Sequence, residues 1–304
     1  TVLVKTSSLI DFLSNILSKN IFKKHEREAI YILSLSENEK LNYSKIRDVK
    51  SLEKYKNLIS AQELSSLLSK GGLTAHFQPI LDVKTNTIYG YETLARGVNE
   101  DGTLVYPDKL FTWAKDGDML FYLDRACRES SLKTAAIKNI RAKVFINFIP
   151  TAIYDPNHCL QSTVKWANSL EFDPKNIIFE VVESENIEDI EHLKNILNFY
   201  KSKGFMVALD DVGSGYSSLN MIVQLLPDIV KVDREIVKEI DKNKANQSVF
   251  AAIVNIAKEN NITVLAEGIE TKEEYLYLKD NGASLVQGYY FAKPSSEPIR
   301  KINF

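Results

Sequence analysis

From residue 73 onward, short runs of apolar and β-branched residues alternate with longer stretches whose apolar positions recur every three or four residues. The runs predict strands at Ala75–Leu81, Ile88–Leu94, Val144–Phe148, Ile177–Val182, Phe205–Leu209, Asp228–Val232, Ile262–Ala266 and Leu285–Tyr289. Between them Leu120–Lys138, Ser162–Leu170, Ile187–Lys203, Ser248–Glu259 and Lys272–Asn281 read as amphipathic helices. Each is long enough for a βαβ crossover. Eight strands alternating with helices over residues 73–304 have the size and rhythm of an α/β fold, a modified (β/α)₈ TIM-like barrel. The link Asp82–Thr87 is too short to hold a crossover helix. The first strand is therefore expected to pair antiparallel with the second, leaving the barrel irregular there.

The pattern differs before Gly71-Gly72. Ser7–Lys19, Glu26–Leu35 and Ser60–Ser69 carry apolar residues at helical spacing, with Leu9, Phe12, Leu13, Ile16 and Leu17 forming one face. Residues 1–72 are read as a small helical lobe preceding a barrel at 73–304. The lobe could be regulatory, signal-transmitting or dimerising, or a plain packing appendage. No chemistry is visible in it.

Composition narrows the function classes. With 44% hydrophobic and 26% charged residues among 304, and 12 Gly and 8 Pro, the chain is neither disordered nor collagen-like. A net charge of −2 leaves no basic excess for a nucleic-acid polymer. That figure joins a +4 segment, 12 basic against 8 acidic residues over 1–72, to a −6 remainder. Cys127 and Cys159 form no CxxC, and His25, His76, His158 and His192 are scattered, so neither a disulfide framework nor a zinc site is indicated. No apolar run has membrane-span length, and no signal peptide is seen. The chain begins at Thr1 rather than Met, which leaves room for an upstream sensor or anchor. The expected location is the cytoplasm, as a protein or as the cytoplasmic domain of a longer one.

The chemistry stands at the strand ends, where a TIM-type barrel builds its site. The second strand delivers Glu92 and Arg96, the third Asn147, the fourth Glu180 and Glu183, and the fifth Asp210 and Asp211. Lys231 and Asp233 end the sixth, Glu267 and Glu270 the seventh, and Gln287 the eighth. If the barrel closes, five carboxylates (Glu92, Glu180, Asp210, Asp211, Glu267) crowd one mouth with a single lysine, and cations must fill it. An all-oxygen donor set specifies Mg²⁺ or Mn²⁺ rather than Zn²⁺. Two ions sharing Asp210, roughly 3.5–4 Å apart, suit attack of an activated water on a phosphodiester. Glu180 and Glu183, three apart, point to opposite sides of a continuing strand and do not easily share an ion. Lys231, flanked by apolar residues, needs a compensating anion. Asp233 is one candidate, and a helix cap for Arg234–Ile240 is its other reading. The glycines of Asp210-Asp211-Val212-Gly213-Ser214-Gly215 make a loop able to approach a ligand closely.

These residues lie in the segments FQPILD at 77–82, YETLAR at 91–96, INFIP at 146–150, FEVVES at 179–184, ALDDVGSGYSSL at 208–219, DIVKVD at 228–233, LAEGIE at 265–270 and QGYYFAKP at 287–294. In that order they resemble the EAL-type cyclic di-GMP phosphodiesterases of bacterial signalling, over about residues 73–294. The resemblance implies hydrolysis of cyclic di-GMP to linear pGpG by a homodimer using two Mg²⁺ or Mn²⁺ ions per site. It implies Glu92, Asn147, Glu180 and Asp210 on one metal, and Asp210, Asp211 and Glu267 on the other. Lys231 would orient the attacking water, with Gln287 beside the metal-bound water, so Lys231, Glu267, Glu92 and Gln287 form the catalytic set. It puts Gln78, Leu94, Arg96, Asp233 and Glu270 on the substrate side, and has Glu183 anchor the loop that starts at Asp211. Two positions depart from the family pattern. Thr93 occupies the middle of the signature triplet and is expected to face away from the metal, and Val212 replaces the usual Phe, removing aromatic packing under the loop. The alternative function is a catalytically retired EAL domain that acts as a cyclic di-GMP receptor or binds a protein partner.

Overall fold

The structure is a computed structural model that describes residues 4–35, 45, 49–182, 189–213 and 218–302. It divides into two compact units, Thr1–Gly72 with Gly97–Leu123, and Leu73–Arg96 with Asp124–Phe304. Among the described residues no helix is long and apolar enough to cross a membrane.

The first unit is mainly helical. Ser8 caps Leu9–Ser18 by accepting from the Asp11 amide, and Ser51 caps Leu52–Ser69 by accepting from the Lys54 amide, each satisfying a donor of the first turn. The expected helix Glu26–Leu35 is instead Lys24–Ala29. After it Tyr31–Ile32 pairs antiparallel with Lys50–Ser51, a partner distant in sequence that draws this aromatic and β-branched stretch into extended backbone. Pro107 starts a further helix, Pro107–Asp116, which packs on Leu52–Ser69. Asp116 there accepts from both Lys56 and Ser60.

The second unit is the barrel. Its strands are β1 (Leu73–Asp82), β2 (Thr87–Val98), β3 (Lys143–Phe148), β4 (Ile177–Val182), β5 (Met206–Val212), β6 (Ile229–Val232), β7 (Thr263–Ala266) and β8 (Leu285–Val286). Each strand from β2 to β8 is parallel to the next. β1 pairs with β2 and, antiparallel, with β8, which closes the ring with the expected irregularity at β1. The modified (β/α)₈ barrel is thus the fold. Crossover helices such as Ile190–Ser202 and Lys244–Glu259 bury Ile196, Leu197, Tyr200, Phe250 and Ile253. Tyr200 stacks on Phe179 of β4 with ring centroids 3.8 Å apart.

Candidate active site

One apolar layer crosses the barrel: Ile80, Phe145, Ile178, Ala208, Ile229, Leu265 and Leu285, all buried in a single cluster. Two positions further along the parallel strands β3 to β8 stand Asn147, Glu180, Asp210, Lys231, Glu267 and Gln287. On the reversed strand β1 the corresponding step is backward, from Ile80 to Gln78. Because side chains two apart share a strand face, the residue pattern itself stacks a polar layer on a dry plug. Registry agrees, since Asn147 lies directly opposite Glu180.

The polar layer converges on Lys231. Its ammonium lies 2.7 Å from Glu180 Oε1, 2.9 Å from Asp210 Oδ2 and 2.9 Å from Glu267 Oε1. Lys231 is 1% exposed and Glu180 fully buried. Glu92 is held at its two oxygens by amides, from Asn147 Nδ2 at 3.1 Å and Gln287 Nε2 at 2.6 Å. One cation thus faces more carboxylates than it can neutralise. Burial pushes the Glu180 and Glu267 carboxyls well above their usual range, and neighbouring carboxylates add to this against the pull of Lys231. Burial alone would push Lys231 down, but Asp210, Glu180, Glu267 and Glu92 hold its ammonium well above the ordinary lysine value.

Asp211 lies within a register shift between β5 and β6, between Leu209 and Val212, and adopts φ 56°, a left-handed conformation that Asp tolerates better than most residues. Its amide donates to Asp210 Oδ1 at 2.9 Å. Burial, then the Asp210 and Asp233 carboxylates, push its carboxyl up to about 6. Asp233 is not the partner of Lys231. It caps Arg234–Val237 by accepting from the Glu235 amide, the second of its two sequence readings. Thr93 turns away from the cluster as expected, and its hydroxyl donates to the Phe145 carbonyl at 2.7 Å. Val212 is fully buried.

A cleft of about 210 Å³ opens over this layer, bordered by Gln78, Glu92, Glu267, Glu270 and Gln287. Leu94 and Arg96 do not border it; Leu94 is half-buried, and Arg96 is buried with Nη1 donating to the Ala95 carbonyl. Glu183 lies outside the described residues. Sequence reasoning missed four border residues: Arg234, Gly268, Gly288 and Tyr289. Arg234 pairs with Glu270 at 2.8 Å and lays its stem over Gly268, where a Cβ would come within 2.6 Å of it. The signal was present in the glycines of LAEGIE and QGYYF, but a close approach between two loops is not readable from either one.

Among the described residues no group of three or more His, Cys, Asp or Glu side chains is spaced to hold a metal ion, and the carboxylates converge on the ammonium instead. The donor set still fits a hard divalent cation. It is all oxygen, it exceeds the charge of Lys231, and among the described residues neither buried oxygen of Glu180 accepts an aligned hydrogen bond.

Residues 61–294 match the family model of the EAL domain. The chain belongs to the EAL-domain family. A standalone versatile EAL protein from Vibrio cholerae, solved with c-di-GMP bound, is 38% identical with a TM-score of 0.69, covering 76% of this chain and 95% of that one. BlrP1 of Klebsiella pneumoniae, in a manganese and cyclic di-GMP complex, is 26% identical with a TM-score of 0.67 over 74% and 56% of the two chains. The probable cyclic di-GMP phosphodiesterase PdeG of Escherichia coli is 28% identical over 80% of this chain and 49% of its own length. The cyclic di-GMP phosphodiesterase NbdA of Pseudomonas aeruginosa is 30% identical over 77% and 30%. This EAL chain therefore spans half or less of those two curated relatives.

Proposed function

We propose that this chain is a metal-dependent cyclic di-GMP phosphodiesterase that releases linear pGpG. The observation that carries the reading is the buried excess of carboxylates around Lys231 at the floor of the cleft. Glu92, Asn147, Glu180 and Asp210 would hold one divalent ion, Mg²⁺ or Mn²⁺, and Asp210, Asp211 and Glu267 a second. Bound there, such ions supply the positive charge and Lewis acidity that phosphodiester hydrolysis requires. Lys231 keeps its proton and presents N–H donors to the attacking water. Gln287 and Asn147 fix the Glu92 carboxylate between two amide donors. Gln78, Leu94, Arg96, Asp233 and Glu270 would serve the substrate, and Glu183 the loop after Asp211. The cleft is smaller than the roughly 300–1,000 Å³ of ordinary ligand pockets, so the dinucleotide would extend beyond it. Residues 1–72 would regulate or dimerise a cytoplasmic enzyme that works as a homodimer.

The test is incubation of the purified chain with cyclic di-GMP and Mn²⁺ or Mg²⁺, with pGpG expected. Glu92→Ala is expected to abolish turnover; unchanged turnover in that variant refutes the site assignment. One observation favours the alternative of a retired receptor: Lys231 already neutralises part of the ligand set. Tight cyclic di-GMP binding without product over hours would decide for the receptor.

A further inference from the structure

The helix Leu120–Ile137 carries an ion pair that the mechanism leaves unused. Arg128 is fully buried and Asp124 is 2% exposed. Arg128 Nη1 donates to Asp124 Oδ2 and Nε donates to Thr163 Oγ1 at 3.2 Å, while the guanidinium also faces the buried Tyr200 hydroxyl. The other carboxylate oxygen, Asp124 Oδ1, accepts the backbone N–H of Ile149 at 2.9 Å. That N–H has just left the sheet, because β3 ends at Phe148, where its register with β4 also ends. Two residues earlier, Asn147 directs its amide at Glu92. The carboxylate therefore fixes the backbone where it leaves the strand, immediately beyond a residue of the polar layer. A charged acceptor makes a hydrogen bond roughly twice as strong as a neutral one, and the buried Arg128 guanidinium is ion-paired with this carboxylate.

We propose that Asp124 is a positioning residue for the metal centre, acting through the Ile149 amide to hold Asn147 in place. This rests on Asn147 being a metal ligand, as proposed above. Groups that orient ligands from behind typically change metal affinity about 10- to 100-fold when removed.

The experiment measures Mn²⁺ binding directly by electron paramagnetic resonance, without substrate. Asp124→Leu with Arg128→Met removes the acceptor and both charges together, so no lone buried charge remains. It is expected to weaken Mn²⁺ binding about tenfold or more. Asp124→Asn with Arg128→Met keeps an oxygen for the Ile149 amide and should restore binding to within about threefold of wild type. The deciding step repeats the first pair in an Asn147→Ala background, where a residue acting through Asn147 has little left to lose, about twofold at most. Equal loss in both backgrounds, or no loss in either, overturns the proposal. If the leucine pair does not fold, Asp124→Glu keeps the charge but displaces the acceptor, and the same dependence on background is read from it. A wild-type chain that takes up no Mn²⁺ sinks the metal-centre reading and this inference with it. Wild-type binding with background-independent loss sinks the inference alone.

Discussion

Two buried charge clusters lie in the barrel unit, and they are balanced differently. At the mouth, Lys231 lies within 2.9 Å of three carboxylates, with Glu92 held close by. Behind the wall, Arg128 faces one carboxylate among the described residues, that of Asp124. A one-to-one pair needs nothing further and can serve only to fix geometry. A cluster with surplus negative charge stays costly until protons or cations arrive: burial raises the Glu180 and Glu267 carboxyls, and the neighbouring carboxylates add to that rise against the pull of Lys231. The surplus, rather than burial of charge as such, separates a site from a pin.

Removing the cation from each cluster tests this most severely. Lys231→Met is expected to lower pGpG formation by at least about 10³-fold, the upper part of the range for losing a group that assists proton transfer or charge stabilisation. Its structural cost in metal-free buffer is expected at about 3–5 kcal/mol, as for breaking a buried pair. Mn²⁺ should raise the melting temperature of this variant by more than it raises that of wild type. Arg128→Met is expected to cost a similar 3–5 kcal/mol, but with no extra relief from Mn²⁺ beyond that of wild type. If Mn²⁺ rescues both variants equally, the distinction between the clusters collapses.

A smaller effect concerns the cleft wall. A Cβ on Gly288 would meet the Ile269 carbonyl oxygen at 2.1 Å and its nitrogen at 2.3 Å, which are backbone atoms with little room to yield. Gly288→Ala is expected to destabilise the chain by about 2–3 kcal/mol, as overpacking does, and to disturb the neighbouring Gln287. Chemical denaturation measures the first effect and pGpG formation the second. Wild-type stability in this variant would show that the two loops do not meet as described.

How much of this the sequence carries depends on the range of the cause. The strands were legible because their cores, VFINF, IIFEVV and MVAL, are apolar on both faces, as covered parallel strands must be. Asn147, Glu180, Asp210, Lys231, Glu267 and Gln287 were legible because each ends such a run. What pairs with Lys231 was not, since strand ends announce only themselves; Asp233 turned out to be a cap. The helix expected at Glu26–Leu35 stopped at Ala29 because Tyr31–Ile32 finds its partner at Lys50–Ser51, a pairing no local pattern reveals. Arg234, at the start of a helix, and Tyr289 reach the cleft only where the segments after β6, β7 and β8 meet.

Glu274 extends the comparison to a buried charge with no ion-pair partner among the described residues. Its carboxylate, 4% exposed, accepts the backbone N–H groups of Glu239 at 2.9 Å, Glu270 at 2.9 Å and Thr271 at 3.1 Å. It thereby ties the segment after β6 to the loop that carries Glu267 and Glu270. Burial alone would push the Glu274 carboxyl up, but these donors and the Thr271 side chain hold it below the usual carboxylate range. A carboxyl lowered in the folded state binds fewer protons there than in the unfolded chain. Its stabilising contribution is therefore complete above the unfolded value, near about 4.3, and is lost as the pH falls through the lower folded value. Glu274→Gln keeps one acceptor oxygen but no charge, so it is expected to cost about 1–2 kcal/mol at pH 7 and progressively less toward pH 3. Urea denaturation of wild type and variant at both pH values measures the difference. A gap that stays the same at pH 3 would mean that the charge on Glu274 is irrelevant and that its shape alone holds the two segments.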